Sequence, residues 1–115
     1  MDPLENERAT AQELIGFARQ QGVDLEPLLH ETALQRGQRW IFLWRKDGHI
    51  DYSLQGAIRL LPERLKESAS AFRGVWNESG SFEDIEQAFV LVKSWLIDER
   101  EVDDLPSRSL KSYQI

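Results

Sequence analysis

Two histidines, twenty carboxylates and no cysteine make up most of what could act chemically in this chain. His49 and Asp51 stand two apart in a β-prone run, so on a strand they share a face. A base with its orienting carboxylate, or two ligands of one metal, can be built that way. Two ligands do not make a zinc site, however, and His30 is a strand away at best. A surface histidine flanking a turn is the commoner role. The pairs Glu83-Asp84 and Asp103-Asp104 are adjacent in sequence, which points their side chains apart and suits capping and solvation rather than acid–base work. No G-x-S-x-G, Walker loop, G-x-G-x-x-G, H-E-x-x-H or EF-hand pattern occurs. The expectation is a protein without catalytic activity that needs no cofactor and no metal.

The charge is placed unevenly. Residues 83 to 104 hold eight acids against Lys93 and Arg100, which is the whole net charge of −6. Such a segment repels phosphate backbones, and a basic patch for nucleic acid is lacking. Acidic surfaces usually serve solubility; the sharper reading is a docking surface for a basic protein. Five of the acids, Asp98, Glu99, Glu101, Asp103 and Asp104, lie past Leu96, the last clear core residue in the pattern. They are the candidate charged partner-binding group.

Four tryptophans form the second constellation. Trp76 and Trp95 fall on apolar helical stripes and read as core. Trp40 and Trp44 belong to Arg39-Trp40-Ile41-Phe42-Leu43-Trp44, an aromatic, β-prone run that leads through Lys46-Asp47-Gly48 into Ile50, Tyr52 and Leu54. Asp-Gly between two apolar runs signals a hairpin. With a three-residue Lys46-Asp47-Gly48 loop, Trp44, Phe42 and Trp40 face Ile50, Tyr52 and Leu54, and one face is wholly apolar. With a two-residue Asp47-Gly48 loop they lie across from Asp51, Ser53 and Gln55, while Ile41 and Leu43 turn to the core. The first register buries more and is the one expected. Trp40 and Trp44 then close the core; on an open face they would be the aromatic anchors enriched at binding hot spots.

The surrounding elements follow from periodicity. At 115 residues, 41% hydrophobic and 30% charged, the chain reads as a single soluble domain over 1–115, with 1–6 and about 102–115 mobile or extended. A helix runs from about 7 to 21, or from just after Pro3, with Thr10 and Glu13 at capping-box spacing and Gly22 as its C′ residue. The segment 23–36 fits a helix capped by Asp24 or a strand over 29–36; the strand is taken, because a lone hairpin is marginal in water. Beyond Leu54, Pro62, Leu65, Ala69, Phe72 and Trp76 fit a helix ending near Gly80. Ser81 then caps a second helix carrying Phe82, Ile85, Ala88, Phe89, Val92, Trp95 and Leu96. The predicted fold is α+β: an N-terminal helix, a three-stranded antiparallel meander and a C-terminal antiparallel helical hairpin. Neither a signal peptide nor a membrane span is visible, so a cytoplasmic location is expected.

In size, acidity and lack of cysteine, and in the run Arg39-Trp40-Ile41-Phe42-Leu43-Trp44 with its Lys46-Asp47-Gly48 turn, the chain resembles the immunity proteins of bacterial polymorphic toxin systems. Within that group it is similar to the TriTu family. The resemblance implies a cytosolic protein that binds and occludes a cognate toxin domain, here an ADP-ribosyltransferase. It transfers no inhibitory residue. A non-catalytic adaptor, chaperone or regulatory subunit is the alternative from a different class.

Overall fold

The computed structural model describes residues 3–61 and 75–106. Helix α1 spans Pro3–Gln20, and the strands are β1 Leu29–His30, β2 Ala33–Arg36, β3 Arg39–Lys46, β4 His49–Ala57 and β5 Val75–Phe82. Helix α2, Ile85–Val92, continues into a π-helical turn over Lys93–Ile97. The five strands form one antiparallel sheet in chain order, with β3 in the middle. The class is α+β as expected. The three-stranded meander and the C-terminal helical hairpin are not what the chain forms.

Helix α1 opens at Pro3, where a missing N–H costs nothing. It buries Thr10, Ala11, Leu14, Ile15 and Ala18 on one stripe. Thr10 is not a cap: it sits mid-helix, and its hydroxyl donates to the carbonyl of Asn6 at 2.8 Å. The helix ends in a Schellman motif. Val23 N–H bonds Ala18 O and Gly22 N–H bonds Arg19 O, with Gly22 at φ 82.

The central hairpin takes the register with the shorter loop. Asp47 and Gly48 both have positive φ, 51 and 84, as a two-residue type I′ turn requires. Ile41 therefore pairs with Leu54, Leu43 with Tyr52 and Trp44 with Asp51. Turn geometry decides the register over apolar burial within the hairpin, because the primed turn matches the twist of the strands it joins. Ile41, Leu43, Ile50, Tyr52 and Leu54 are buried beneath α1 and α2, and Trp40, Phe42 and Trp44 point the other way.

Two further strands replace expected elements. Residues 29–36 form a small hairpin rather than one strand, turning at Glu31 with φ 58. Trp76 and Ser81, assigned above to two helices, both lie in β5; the rest of the first of those helices, 62–74, lies outside the described residues. Strand β5 turns Trp76, Glu78, Gly80 and Phe82 toward the core, opposite Gly56, Leu54, Tyr52 and Ile50. An inward row containing a carboxylate and a glycine shows no apolar alternation, although Glu78 is fully buried. Gly80 is required by close approach: a Cβ there would lie 2.8 Å from the Tyr52 hydroxyl and 3.0 Å from its ring. Tyr52 in turn lies against Phe82, with centroids 4.7 Å apart. Glycine to alanine in a strand normally stabilises by about 0.5–1 kcal/mol. Here the overpacking term, about 1–3 kcal/mol, is the larger. Gly80→Ala is therefore expected to destabilise in urea titrations, whereas Ser79→Ala on the other face should stay within about 0.5 kcal/mol of wild type.

Helix α2 starts later than Ser81. Asp84 is the N-cap, its carboxylate accepting from Gln87 N–H at 3.0 Å, and Phe17 of α1 meets Phe89 edge-on at 5.5 Å. In the π-helical turn Asp98 N–H reaches back to Lys93 O, and Ser94, Trp95 and Leu96 are all buried. The chain then reverses at Glu99, φ 50, and its next turn, Val102–Asp104, returns Val102 and Leu105 to the core at 0% and 2% exposure. Burial thus reaches past Leu96.

Candidate binding face

Alternation along β3 sends Trp40, Phe42, Trp44 and Lys46 to the sheet face opposite α1 and α2. The three aromatics are half-buried. Trp40 is the best supported of them: the His30 ring meets it edge-on at 5.3 Å, and the Phe42 ring lies parallel to it at 6.0 Å. Beside this row β4 contributes His49, Asp51, Ser53 and Gln55, and β5 contributes Asn77, Ser79 and Ser81. Ser53 Oγ donates to Asn77 Oδ1 at 2.9 Å. The face is an aromatic strip bordered by hydrogen-bonding groups and by the Asp51 carboxylate, whose Oδ1 lies 2.9 Å from His49 Nε2. His30 is at the far end of the aromatic row, and among the described residues no three histidines or carboxylates are grouped to hold a metal.

The strip has a recess at each end. Near Trp40, Gln35, Gln38 and Gln55 line a hollow of about 430 Å³. Near Trp44, Pro3, Asn6 and Glu7 of α1 line a smaller cleft of about 270 Å³.

The five acids lie beyond the π-helical turn, where Asp98 and Glu99 meet cations among the described residues. Asp98 meets Lys93 at 3.3 Å, and Glu99 meets Arg36 at 3.8 Å with its side chain 55% exposed. Glu101 and Asp104 are exposed, and Asp103 belongs to the turn Val102–Asp104. Two arginines tie this segment to the sheet. Arg36 Nη1 donates to Leu96 O and Ile97 O, and Arg39 Nη1 donates to Trp95 O at 3.1 Å and Arg100 O at 2.8 Å. The Arg39 guanidinium also lies 4.3 Å from the centre of the Trp95 ring. Burial pulls its pKa below the ordinary arginine value, and Glu99 and Glu101 partly offset that. An arginine guanidinium keeps its proton in proteins, so the group acts as a cation and donor here.

No family model, curated protein or solved structure matches this chain. The face must be read from its own chemistry. Trp76 and Trp95 are core as expected, each at 0% exposure and packed edge to face at 5.4 Å, although Trp76 reaches the core from strand β5 and not from a helix. The structure brings Trp40 and Trp44 together with Phe42, which sequence reasoning left out of the candidate set although it shares their parity. The acids do not join them on the strip. No helix among the described residues is long and apolar enough to cross a membrane.

Proposed function

We propose that this chain is a non-catalytic binding protein that occludes a cognate bacterial toxin domain, with an ADP-ribosyltransferase as the class its resemblance implies. The observation that carries the reading is the row Trp40, Phe42 and Trp44 on the outward face of the central strand. Large, rigid aromatics on a regular element lose little entropy on binding and are the usual hot-spot residues. The polar groups beside them, Ser53, Gln55, Asn77 and Ser79, suit the rim of an interface. The acidic segment from Asp98 to Asp104 acts at longer range, steering a basic partner toward the sheet.

The test uses the product of the reading frame immediately upstream as partner. Association and dissociation are measured for wild type, for Trp40→Ala/Trp44→Ala, and for a variant with Asn or Gln at Asp98, Glu99, Glu101, Asp103 and Asp104. Loss of two central anchors should cost at least about 2 kcal/mol, roughly a 30-fold weaker complex, mostly through faster dissociation. The acidic variant should associate more slowly, with a flatter salt dependence. An aromatic variant that binds within twofold of wild type, with its circular dichroism unchanged, would reject the face. An upstream product that binds without losing activity would favour the adaptor or regulatory-subunit reading instead.

A further inference from the structure

The cleft at the Trp44 end has a chemistry of its own. Strand β2 pairs with β3 only as far as Ile41, so the remaining residues of β3 run on without β2 beside them. The first turns of α1 fill that notch. Asn6 behaves like a residue of a neighbouring strand: its Nδ2 donates to Arg45 O at 2.9 Å, and its Oδ1 accepts from Arg45 N–H at 2.9 Å. Thr10 Oγ1 holds the carbonyl of Asn6 in place. This clamp fixes Pro3, Asn6 and Glu7 against the Trp44 side of the strip, where with Trp44 they line the cleft of about 270 Å³. Glu7 is half-buried there, and Thr32 Oγ1 donates to its Oε2 at 3.4 Å.

We infer that this cleft receives an arginine side chain of the partner, the guanidinium pairing with the Glu7 carboxylate over the Trp44 ring and the stem lying along Pro3. The inference rests on the aromatic strip being the docking face. An aromatic face and a carboxylate in one recess both favour a cation, and a planar guanidinium satisfies both, since it stacks as well as it pairs. The net charge of −6 favours the same sign of partner. A helix N-terminus alone would favour an anion, but Glu7 within the cleft and Glu5 in the same turn oppose one. Of the neighbouring cations, Lys46 lies further along the face and is solvent-exposed, while Arg45 turns to the other face and is held by Glu13.

The full chain, labelled with ¹⁵N, is titrated with N-acetyl-arginine amide, with its neutral isostere N-acetyl-citrulline amide and with inorganic phosphate. The arginine probe should move the Trp44 indole N–H and the backbone amides of Asn6 and Glu7, with an apparent affinity several-fold above that of the citrulline probe. Glu7→Gln should bring the two probes level, and Trp44→Leu should abolish both responses while the remaining amide spectrum keeps its dispersion. Equal responses to arginine and citrulline in wild type, a response to phosphate instead, or an arginine response that survives Glu7→Gln would overturn the inference. Such a failure is separable from failure of the docking face: Trp40→Ala/Phe42→Ala leaves the cleft intact, and its effect on partner binding reports on the face alone.

Discussion

Trp95→Ala is expected to cost about 3–5 kcal/mol, among the largest losses for a single truncation of the described residues. The ring has no exposed surface, packs edge-on against Trp76 at 5.4 Å, lies beneath the Arg39 guanidinium, and donates from Nε1 to Trp40 O at 3.2 Å. Truncation opens a cavity between the sheet and the C-terminal segment and removes the indole donor to the Trp40 carbonyl. Against a total stability of roughly 5–15 kcal/mol for a domain of this kind, the variant should be partly unfolded or nearly so. Trp95→Phe keeps most of the volume and loses the donor, so its expected cost is smaller, about 1–3 kcal/mol. Urea titrations followed by far-ultraviolet circular dichroism would check both. A loss below about 1 kcal/mol for Trp95→Ala would mean that the sheet and the π-helical turn do not share a core.

Arg39→Ala should cost about 2–3 kcal/mol. One nitrogen of Arg39 serves two carbonyls 56 and 61 residues away, and the same group stacks on Trp95. Hydrogen bonds from a charged donor contribute about 1.5–3 kcal/mol when partly shielded from water. Arg39→Lys supplies a point charge without the planar fork and should recover only part of this. Arg36→Ala should cost less, about 1 kcal/mol: Arg36 also donates to Leu96 O and Ile97 O, at 3.1 and 3.3 Å, but its side chain is 47% exposed and its ion pair with Glu99 is long, at 3.8 Å. Because Arg39 and Trp95 touch, their double variant should fall short of the sum of the single losses. Additive losses, or equal losses at positions 36 and 39, would contradict the geometry described.

Much of the architecture could be read from local signals. Pro3, Gly22 and the Ala11, Leu14, Ile15 and Ala18 spacing delimit α1, and Asp47-Gly48 marks the turn of the central hairpin. Apolar area within one hairpin is a poor guide to register, because the turn is not free to adjust. Asp-Gly favours the two-residue primed turn, and weighing that dipeptide more heavily would have placed Trp40 and Trp44 on the outer face. The β1–β2 turn carried no such signal, since Glu31 takes a left-handed conformation without being glycine or asparagine. Strand β5 was hidden for a different reason: its inward positions are filled by Trp76, Glu78, Gly80 and Phe82, and Gly80 is explained only by the Tyr52 ring facing it. As for the site, residue type picked out Trp40 and Trp44, and parity alone would have added Phe42. The tethering by Arg36 and Arg39 could not be read at all, because nothing local in either arginine points to a carbonyl about sixty residues away.

A sheet whose spatial order equals its chain order has no crossovers, so β1 to β4 are joined to their neighbours by turns of two residues. Closing such loops costs little entropy, and the cost rises only logarithmically with length; joining Arg36 or Arg39 to the C-terminal segment across about sixty residues costs on the order of 2 kcal/mol more than closing a hairpin. The molecule therefore divides by timescale as well as by layer. Its first strands can zip together one neighbour at a time, with the outer aromatic row aligned as soon as β3 and β4 are in register. Two arginines, one on either side of the Gly37-Gln38 turn, then hold the far end of the chain against the sheet together with the buried Trp95, Val102 and Leu105.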